Sequence, residues 1–538
     1  MIKTFPAWLR IPAIVFILYC AVFSYSHLLG VDIMEARNYV TAREMTEGSN
    51  WLVPTMNGEL RIAKPPLPTW LTAIAMKLAG SDTNLIVNRI PAGLAALLLL
   101  LLFYRFTLSY TGCHKISAVS TLFLSTSYMF MFMSRRGTWD MISHTFMMAS
   151  IWALYKATGS NGTRTPYFVA TGVFMGLSFL SKGPVSPYAL LLPFLLSEFI
   201  SGDVKKYLAH WKMLAFSLLI AALISIAWPV YLSVSVPEKL AAVASTEIDA
   251  WGDRHVKSIF WYLQFPVMSG IWLFFALPAL WAPHSSKISG ENFPTRKLMF
   301  WIILTVILLS LIPEKKDRYL LPITIPMALL IGGYVTGLIN SVRNTGAPLA
   351  TRYILKFHSL LFVALLTAAA AAGLYDSVKH ATGMYNVAIL LAVIAMLFSF
   401  ARILLKGQTP DPIYFILAFA LLTQTGASVL SRDRKPDNYM EILKIRNNAR
   451  LSAQKFYTDY PDMKVVWAIG KKMYPWNVTV LNGIKDGEKI AYLTRNGSEA
   501  VIPELDSNKY EAVPDEELEF ENWQLYQISR ILPATPED

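Results

Sequence analysis

Runs of about twenty apolar residues recur along most of this chain, and no other feature constrains its fold as strongly. Such a run is stable in hydrocarbon only when its backbone N–H and C=O groups bond to one another, which a helix achieves within a single segment. About thirteen spans are predicted. They lie near 11–29, 88–109, 116–133, 139–157, 166–181, 184–200, 212–235, 259–282, 298–313, 319–340, 355–375, 384–405 and 412–430. Residues 64–80 are shorter, open on Pro65-Pro66, and read as an interfacial helix. Composition agrees: 54% hydrophobic and 16% charged residues, with mean hydropathy +0.42, exclude an ordinary soluble domain.

The same pattern narrows the chemistry. Cys20 and Cys113 fall in or beside apolar spans, so no disulfide framework is expected. The net charge of +12 does not point to nucleic acid, because no soluble stretch carries a long basic run or interleaved aromatics and bases. Lys3 and Arg10 precede the first apolar run, but no small-residue cleavage site follows, which predicts a retained first span.

With a cytoplasmic N-terminus, every inner turn is basic: Arg105/Lys115, Arg164, Lys205/Lys206/Lys212, Lys287/Arg296/Lys297, Arg343/Arg352/Lys356 and Arg402/Lys406. That order predicts a multi-pass membrane protein with residues 1–430 as its transmembrane part. The odd span count places residues 431–538 outside, in the periplasm if the cell is Gram-negative, as a small α+β domain. In the latter, 439–456 read as a helix, and 464–469, 478–481, 489–493 and 523–528 as strands separated by Asn-Gly turns.

The outer turns should be poor in cations, yet five are rich in them. They carry Arg37, Arg43, Arg61 and Lys64; Arg135 and Arg136; Lys182; Arg254 and Lys257; and Lys315, Lys316 and Arg318. Cations on the disfavoured face indicate an anionic ligand; the simpler alternative is long side chains reaching lipid head groups. Asp32 and Glu35, three apart, would share a helix face and offer a base for transfer to a hydroxyl or amine, or else serve as helix N-terminal charges. Lys64-Pro65-Pro66 and Lys182-Gly183-Pro184 place a cation beside a proline-fixed corner, or are plain turns. Asp140, at the edge of an apolar span, is expected to be functional or paired with Arg135 or Arg136. Near Arg254 and His255 a metal has no diagnostic ligand spacing. Trp261 and Tyr262 read as an interfacial aromatic belt. Lys315, Lys316 and Arg318, followed by Tyr319, suit a phosphate at the interface or an anionic lipid.

In this order the pieces resemble the GT-C glycosyltransferases, in particular the lipid A aminoarabinose transferases and protein O-mannosyltransferases. The resemblance rests on Glu35-Ala36-Arg37, Ala42-Arg43-Glu44-Met45, Trp51-Leu52-Val53-Pro54, Asn57-Gly58-Glu59 and Lys64-Pro65-Pro66-Leu67. It continues through Asp140, Ser181-Lys182-Gly183-Pro184, His255 before Phe260-Trp261-Tyr262, and Arg318-Tyr319-Leu320-Leu321-Pro322. It implies an all-α polytopic membrane fold, with the small α+β domain appended. The implied activity moves a sugar from a polyprenyl-phosphate donor to an extracytoplasmic glycolipid, glycan or protein. Asp32 or Glu35 would be the base, and Arg37, Lys64, Lys182, Lys315, Arg318 and Tyr319 would bind the donor phosphate. Arg135, Arg136, Asp140, Arg254, His255 and Glu59 are further site candidates. The family's Asp-Glu pair is adjacent, whereas Met34 precedes Glu35 here. The family often has Glu before Lys-Pro-Pro, where this chain has Ala63, which weakens the case for a divalent metal at His255 or Asp140. A transporter or flippase for an anionic lipid-linked substrate is the alternative; it would place charges near the bilayer midplane and interrupted helices in matched halves.

Overall fold

The computed structural model describes residues 2–48, 50–159, 164–253, 255–343, 349–380, 383–432, 442–443, 445–451, 454–459, 461–485, 488–495, 505–506, 508–515 and 523–531. Its helices in chain order are α1 (Ala7–Val22), α2 (Ile33–Thr46), α3 (Leu67–Ala79), α4 (Leu85–Thr111), α5 (His114–Ser125), α6 (Tyr128–Ser134) and α7 (Trp139–Ala157). There follow α8 (Thr165–Lys182), α9 (Leu192–Ile200), α10 (Val204–Leu208), α11 (Trp211–Ser235), α12 (Pro237–Asp253), α13 (Leu273–Leu280) and α14 (Ala282–Ser289). Then come α15 (Thr295–Leu311), α16 (Leu321–Arg343), α17 (Leu349–Lys379), α18 (Met384–Leu405), α19 (Pro412–Arg432) and α20 (Met463–Ile469). The strands are β1 (Ile2–Lys3), β2 (Thr55–Met56), β3 (Glu59–Leu60), β4 (Thr409–Pro410), β5 (Phe456–Thr458), β6 (Met473–Pro475), β7 (Lys489–Arg495), β8 (Tyr510–Pro514) and β9 (Trp523–Arg530).

Contacts within the chain define two compact units. One comprises Met1–Leu28, Ala63–Pro68 and Arg89–Asp433; the other comprises Leu29–Ile62, Thr69–Asn88 and Arg434–Asp538.

The first unit is a helical membrane bundle. Every predicted span coincides with a helix or a pair of helices. Among the described residues, 8 helical segments are long and apolar enough to cross a membrane, or 9 if α5 and α6, bent by 65°, form one span. Its core is one continuous apolar cluster that includes Phe103, Phe106, Phe123, Trp272 and Trp301. Helix α16 is buried along its whole apolar length, as expected of a helix that is apolar all round. Its approach to α5 needs glycine: a Cβ on Gly332 would lie 2.7 Å from Ser120 Cα. Leu218, Leu219, Leu223, Ile226 and Val230 of α11 stay exposed, which is how a lipid-facing surface looks in the absence of lipid.

The second unit has its own core. Ala36, Tyr39 and Val40 of α2 pack with Ala73 and Met76 of α3 and with Val466, Trp467 and Leu525. Asn38 Nδ2 donates to Thr72 Oγ1 at 3.0 Å and Asn38 Oδ1 accepts from Thr69 Oγ1 at 2.8 Å. Arg446 grips Asp82 with two bonds of 2.8 Å. A five-stranded sheet runs in the order β6-β5-β7-β9-β8, with β5 parallel to β6 and β7, and β9 antiparallel to β7 and β8.

Three expectations for the tail are corrected or limited. Residues 464–469 are helical, not extended: Asp462 accepts from Lys464 N at 2.9 Å to start α20, and Gly470, at φ 75°, ends it. A short apolar run such as Val465–Ile469 has no periodicity to separate helix from strand. Residues 478–481 lie in the 3-10 helix Val478–Gly483, whose first turn the Asn477 side chain caps. Of the helix expected over 439–456, residues 439–441, 444 and 452–453 fall outside the described residues, and Phe456 is in β5.

Candidate active site

In the membrane unit, Asp140 lies in the first turn of α7 and Lys182 in the last turn of α8. Asp140 is buried, Lys182 keeps about 10% of its side chain exposed, and the two form an ion pair. The predicted partnership of Asp140 with Arg135 or Arg136 therefore gives way to one with Lys182. Lys182 Nζ lies 5.2 Å from the centre of the Tyr319 ring, and Arg318 Cζ lies 5.9 Å from that same centre. The charges of Arg318 and Lys64 also act on Lys182. Sequence positions 64, 140, 182, 318 and 319 thus converge at one end of the bundle.

The helices continue to an opposite end with a different cluster. Tyr155 lies fifteen residues beyond Asp140 on α7, about 22 Å along the axis. There, fully buried Glu198 accepts from Tyr110 Oη at 2.8 Å and Lys206 Nζ at 2.7 Å, and Lys297 lies 3.6 Å away. Two of the basic residues predicted for inner turns, Lys206 and Lys297, thereby have a buried counter-charge.

Beside the Asp140–Lys182 pair, the chain before α16 is clamped to the segment after α12. His255, in the left-handed region at φ 52°, accepts from Lys315 N at 3.1 Å, and Val256 bridges to Glu314. Lys315 is buried, and its ammonium donates to Ile312 O at 2.7 Å, so it is held by its own turn. Glu314, which the sequence did not single out, pairs with Lys316 and accepts from Tyr319 Oη at 3.4 Å. Burial alone would raise its pKa, but the hydrogen bond and charge of Lys316, with His255 and Lys64, hold it below its ordinary value. The available signal was an acid set beside the cations Lys315, Lys316 and Arg318. Trp261 does more than line an interface: its indole donates to Asp317 Oδ1 at 3.0 Å, and Lys257 Nζ stacks 3.6 Å from its ring.

Arg135 donates to Cys20 O on α1, and Arg136 stacks 4.6 Å above Phe132. Arg254 lies outside the described residues. Among the described residues, no group of three or more His, Cys, Asp or Glu side chains is arranged to hold a metal ion. Asp140 is engaged by Lys182 and position 63 is alanine, so His255 and Asp140 do not make a fitting metal set here.

In the second unit, Asp32 and Glu35 form a capping box at the start of α2. Asp32 Oδ1 accepts from Met34 N at 2.8 Å, and Glu35 Oε2 accepts from Asp32 N at 3.1 Å. Glu35 is buried and also accepts from Tyr39 Oη at 2.9 Å, whereas Asp32 is half-buried. Both candidate bases take part in the cap, but they differ: Glu35 is buried and also held by Tyr39, whereas Asp32 is partly open to solvent. Arg37 is half-buried, with Nη1 4.0 Å from Met34 Sδ. Arg43 is structural, donating to Val466 O at 3.2 Å; burial draws its pKa down, against the charges of Glu47, Asp82 and Glu44. Glu59 is exposed on the β2–β3 hairpin. Asn57 and Gly58, both at positive φ, form the turn of that hairpin, and Asn57 bonds to both Met473 N and O at 2.8 Å.

The first unit is thus a polytopic helical bundle with half-buried cations gathered at one end, and the second a small α+β unit. The comparisons agree. A family model described as dolichyl-phosphate-mannose-protein mannosyltransferase matches residues 63–228. An undecaprenyl phosphate-alpha-4-amino-4-deoxy-L-arabinose arabinosyl transferase of Shewanella sediminis is 25% identical over 350 residues, covering 62% of this chain and 60% of the relative. The corresponding protein of Edwardsiella ictaluri is 26% identical over 393 residues, covering 66% of each. The chain therefore aligns with about 60% of the length of the Shewanella relative. The crystal structure of ArnT from Cupriavidus metallidurans bound to undecaprenyl phosphate superposes with a TM-score of 0.72 at 17% identity, covering 97% of this chain and 98% of that one. The same protein in the apo state gives 0.71 at 16% identity, covering 97% of each. The chain has the GT-C fold of the Cupriavidus metallidurans ArnT structures.

Proposed function

We propose that this chain is an integral-membrane glycosyltransferase that moves a sugar from a polyprenyl-phosphate donor to an extracytoplasmic acceptor: lipid A or another glycolipid, a glycan, or a protein. The observation that carries the reading is the convergence of Lys182, Arg318, Tyr319 and Lys64 around Asp140 at one end of the bundle. Support comes from relatives whose names specify an undecaprenyl-phosphate sugar, and from a like-folded structure bound to undecaprenyl phosphate. Under this reading residues 1–430 are the transmembrane catalytic part, the N-terminus is cytoplasmic, and residues 431–538 are periplasmic at a bacterial inner membrane.

The reaction is a single displacement with inversion. A bond forms between the acceptor oxygen or nitrogen and the anomeric carbon, and the bond from that carbon to the donor phosphate breaks. The phosphate leaves with the electron pair, and Lys64, Lys182 and Arg318, with Arg37 as a further candidate, stabilise its charge. Asp32 takes the acceptor's proton; the cap uses one oxygen of its half-buried carboxylate, whereas Glu35 is buried with both oxygens engaged, by the cap and by Tyr39. The grouping of these charges at one end of the bundle favours transfer over transport.

The test is mass spectrometry of envelope glycolipids and glycoproteins from cells with and without the chain. The expected result is loss of one sugar-modified species; identical profiles refute the reading.

A further inference from the structure

Helix α7 presents Asp140, Ser143 and His144 at helical spacing, so they share a face. That face holds the corner that ends α8 at two points. Asp140 takes Lys182, the first residue of the corner. His144 Nδ1 and Ser186 Oγ, four residues later, share a hydrogen bond of 2.8 Å. Ser143 Oγ lies 2.8 Å from Ser186 Oγ and donates to Ser178 O at 3.1 Å, while Ser178 Oγ donates to Ser143 O at 2.8 Å. The side chains of Asp140, Ser143, His144, Ser178 and Ser186 are all buried. Between the two points the backbone turns at Gly183, with φ 66°, and then passes into a π-helical turn, Pro187–Leu191. Such turns are rare and concentrate at functional sites. A buried, satisfied polar ladder makes local geometry unique where apolar packing alone would let the corner shift.

We propose that His144 and Ser186, braced by Ser143 and Ser178, form a positioning clamp that fixes the Lys182 ammonium where the donor phosphate is bound. The clamp rests on the reading of Lys182 as a phosphate ligand. His144 touches no reacting atom; it acts through the corner. Asp140 supplies charge to Lys182, and the clamp supplies the position of the backbone that carries it.

The test is binding of undecaprenyl phosphate to the purified full-length protein in lipid nanodiscs. His144→Ala and Ser186→Ala should each weaken binding about five- to tenfold, the effect of about one buried hydrogen bond. The double variant should bind no more weakly than the worse single variant. His144→Asn, whose amide can donate or accept near the Nδ1 position, should restore most of the affinity. In a Lys182→Ala background, His144→Ala should have no further effect, because nothing remains to be positioned. Should His144→Ala fail to fold, Ser186→Ala and His144→Asn carry the same test. The clamp is overturned if His144→Ala and Ser186→Ala bind like the unaltered protein. It is also overturned if they weaken binding equally with Lys182 present and absent, which marks a purely structural role. If Lys182→Ala itself binds normally, the phosphate reading falls, and the clamp falls with it.

Discussion

Lys182 pairs with Asp140, a carboxylate buried in the first turn of the neighbouring helix, so this cation enters the site with its counter-charge in place. Two buried charges of opposite sign are tolerable together and costly apart. We predict that Asp140→Ala destabilises the protein by about 3–5 kcal/mol, the cost of stranding a buried charge. Lys182→Met in the same chain should recover stability without recovering activity. Thermal unfolding and a transfer assay on the same preparations separate the two effects. Recovery of activity in the double variant would show that Lys182 has no part in transfer.

Lys182→Met alone should lower transfer by about a hundredfold or more, as expected when one preorganised donor to a developing phosphate charge is lost. The measurement is kcat with a polyprenyl-phosphate donor; a value within twofold of the unaltered enzyme sinks the assignment.

Asp32 and Glu35 share a capping box but should respond differently to neutralisation. Asn and Gln preserve the hydrogen bonds of such a cap. Asp32→Asn should therefore leave unfolding temperature nearly unchanged while abolishing transfer. Glu35→Gln should keep most activity. The reverse pattern would assign the base to Glu35.

At the other end of the bundle, Glu198 neutralises Lys206 and Lys297 and accepts from Tyr110. Glu198→Ala should cost about 3 kcal/mol, in the range for breaking a buried charge pair, and donor binding should persist in the folded fraction. Thermal unfolding in detergent, with undecaprenyl phosphate binding measured below the transition, checks both parts.

Glu314 gives a prediction in pH. Its folded-state pKa is below its ordinary value, so the stability it contributes is full above that ordinary value, about 4.3, and is lost as pH falls through the lowered one. Glu314→Gln should thus lower the unfolding temperature at pH 6, and this difference from the unaltered chain should shrink as pH is lowered below the ordinary carboxylate value. A difference that stays constant as the pH is lowered would remove Glu314's charge from the account.

The sequence by itself determined the class of protein. Spans of about twenty apolar residues have one solution in hydrocarbon, so helices were legible wherever the runs were long. The cations around Lys64, Lys182 and Lys315–Arg318 were legible because charges at the ends of apolar spans are costly and stand out in sequence. Tertiary structure decided what each charge does. It paired Asp140 with Lys182 across 42 residues of chain, turned Lys315 onto Ile312 O, and locked Glu35 with Tyr39 while leaving Asp32 half-buried. It also made Val465–Ile469 helical and exposed the role of His144 and Ser186, which in sequence are ordinary members of apolar helices. The reason is physical: periodicity reports which face of a segment is buried, whereas a pair or a clamp depends on which segments meet, and that is set by packing.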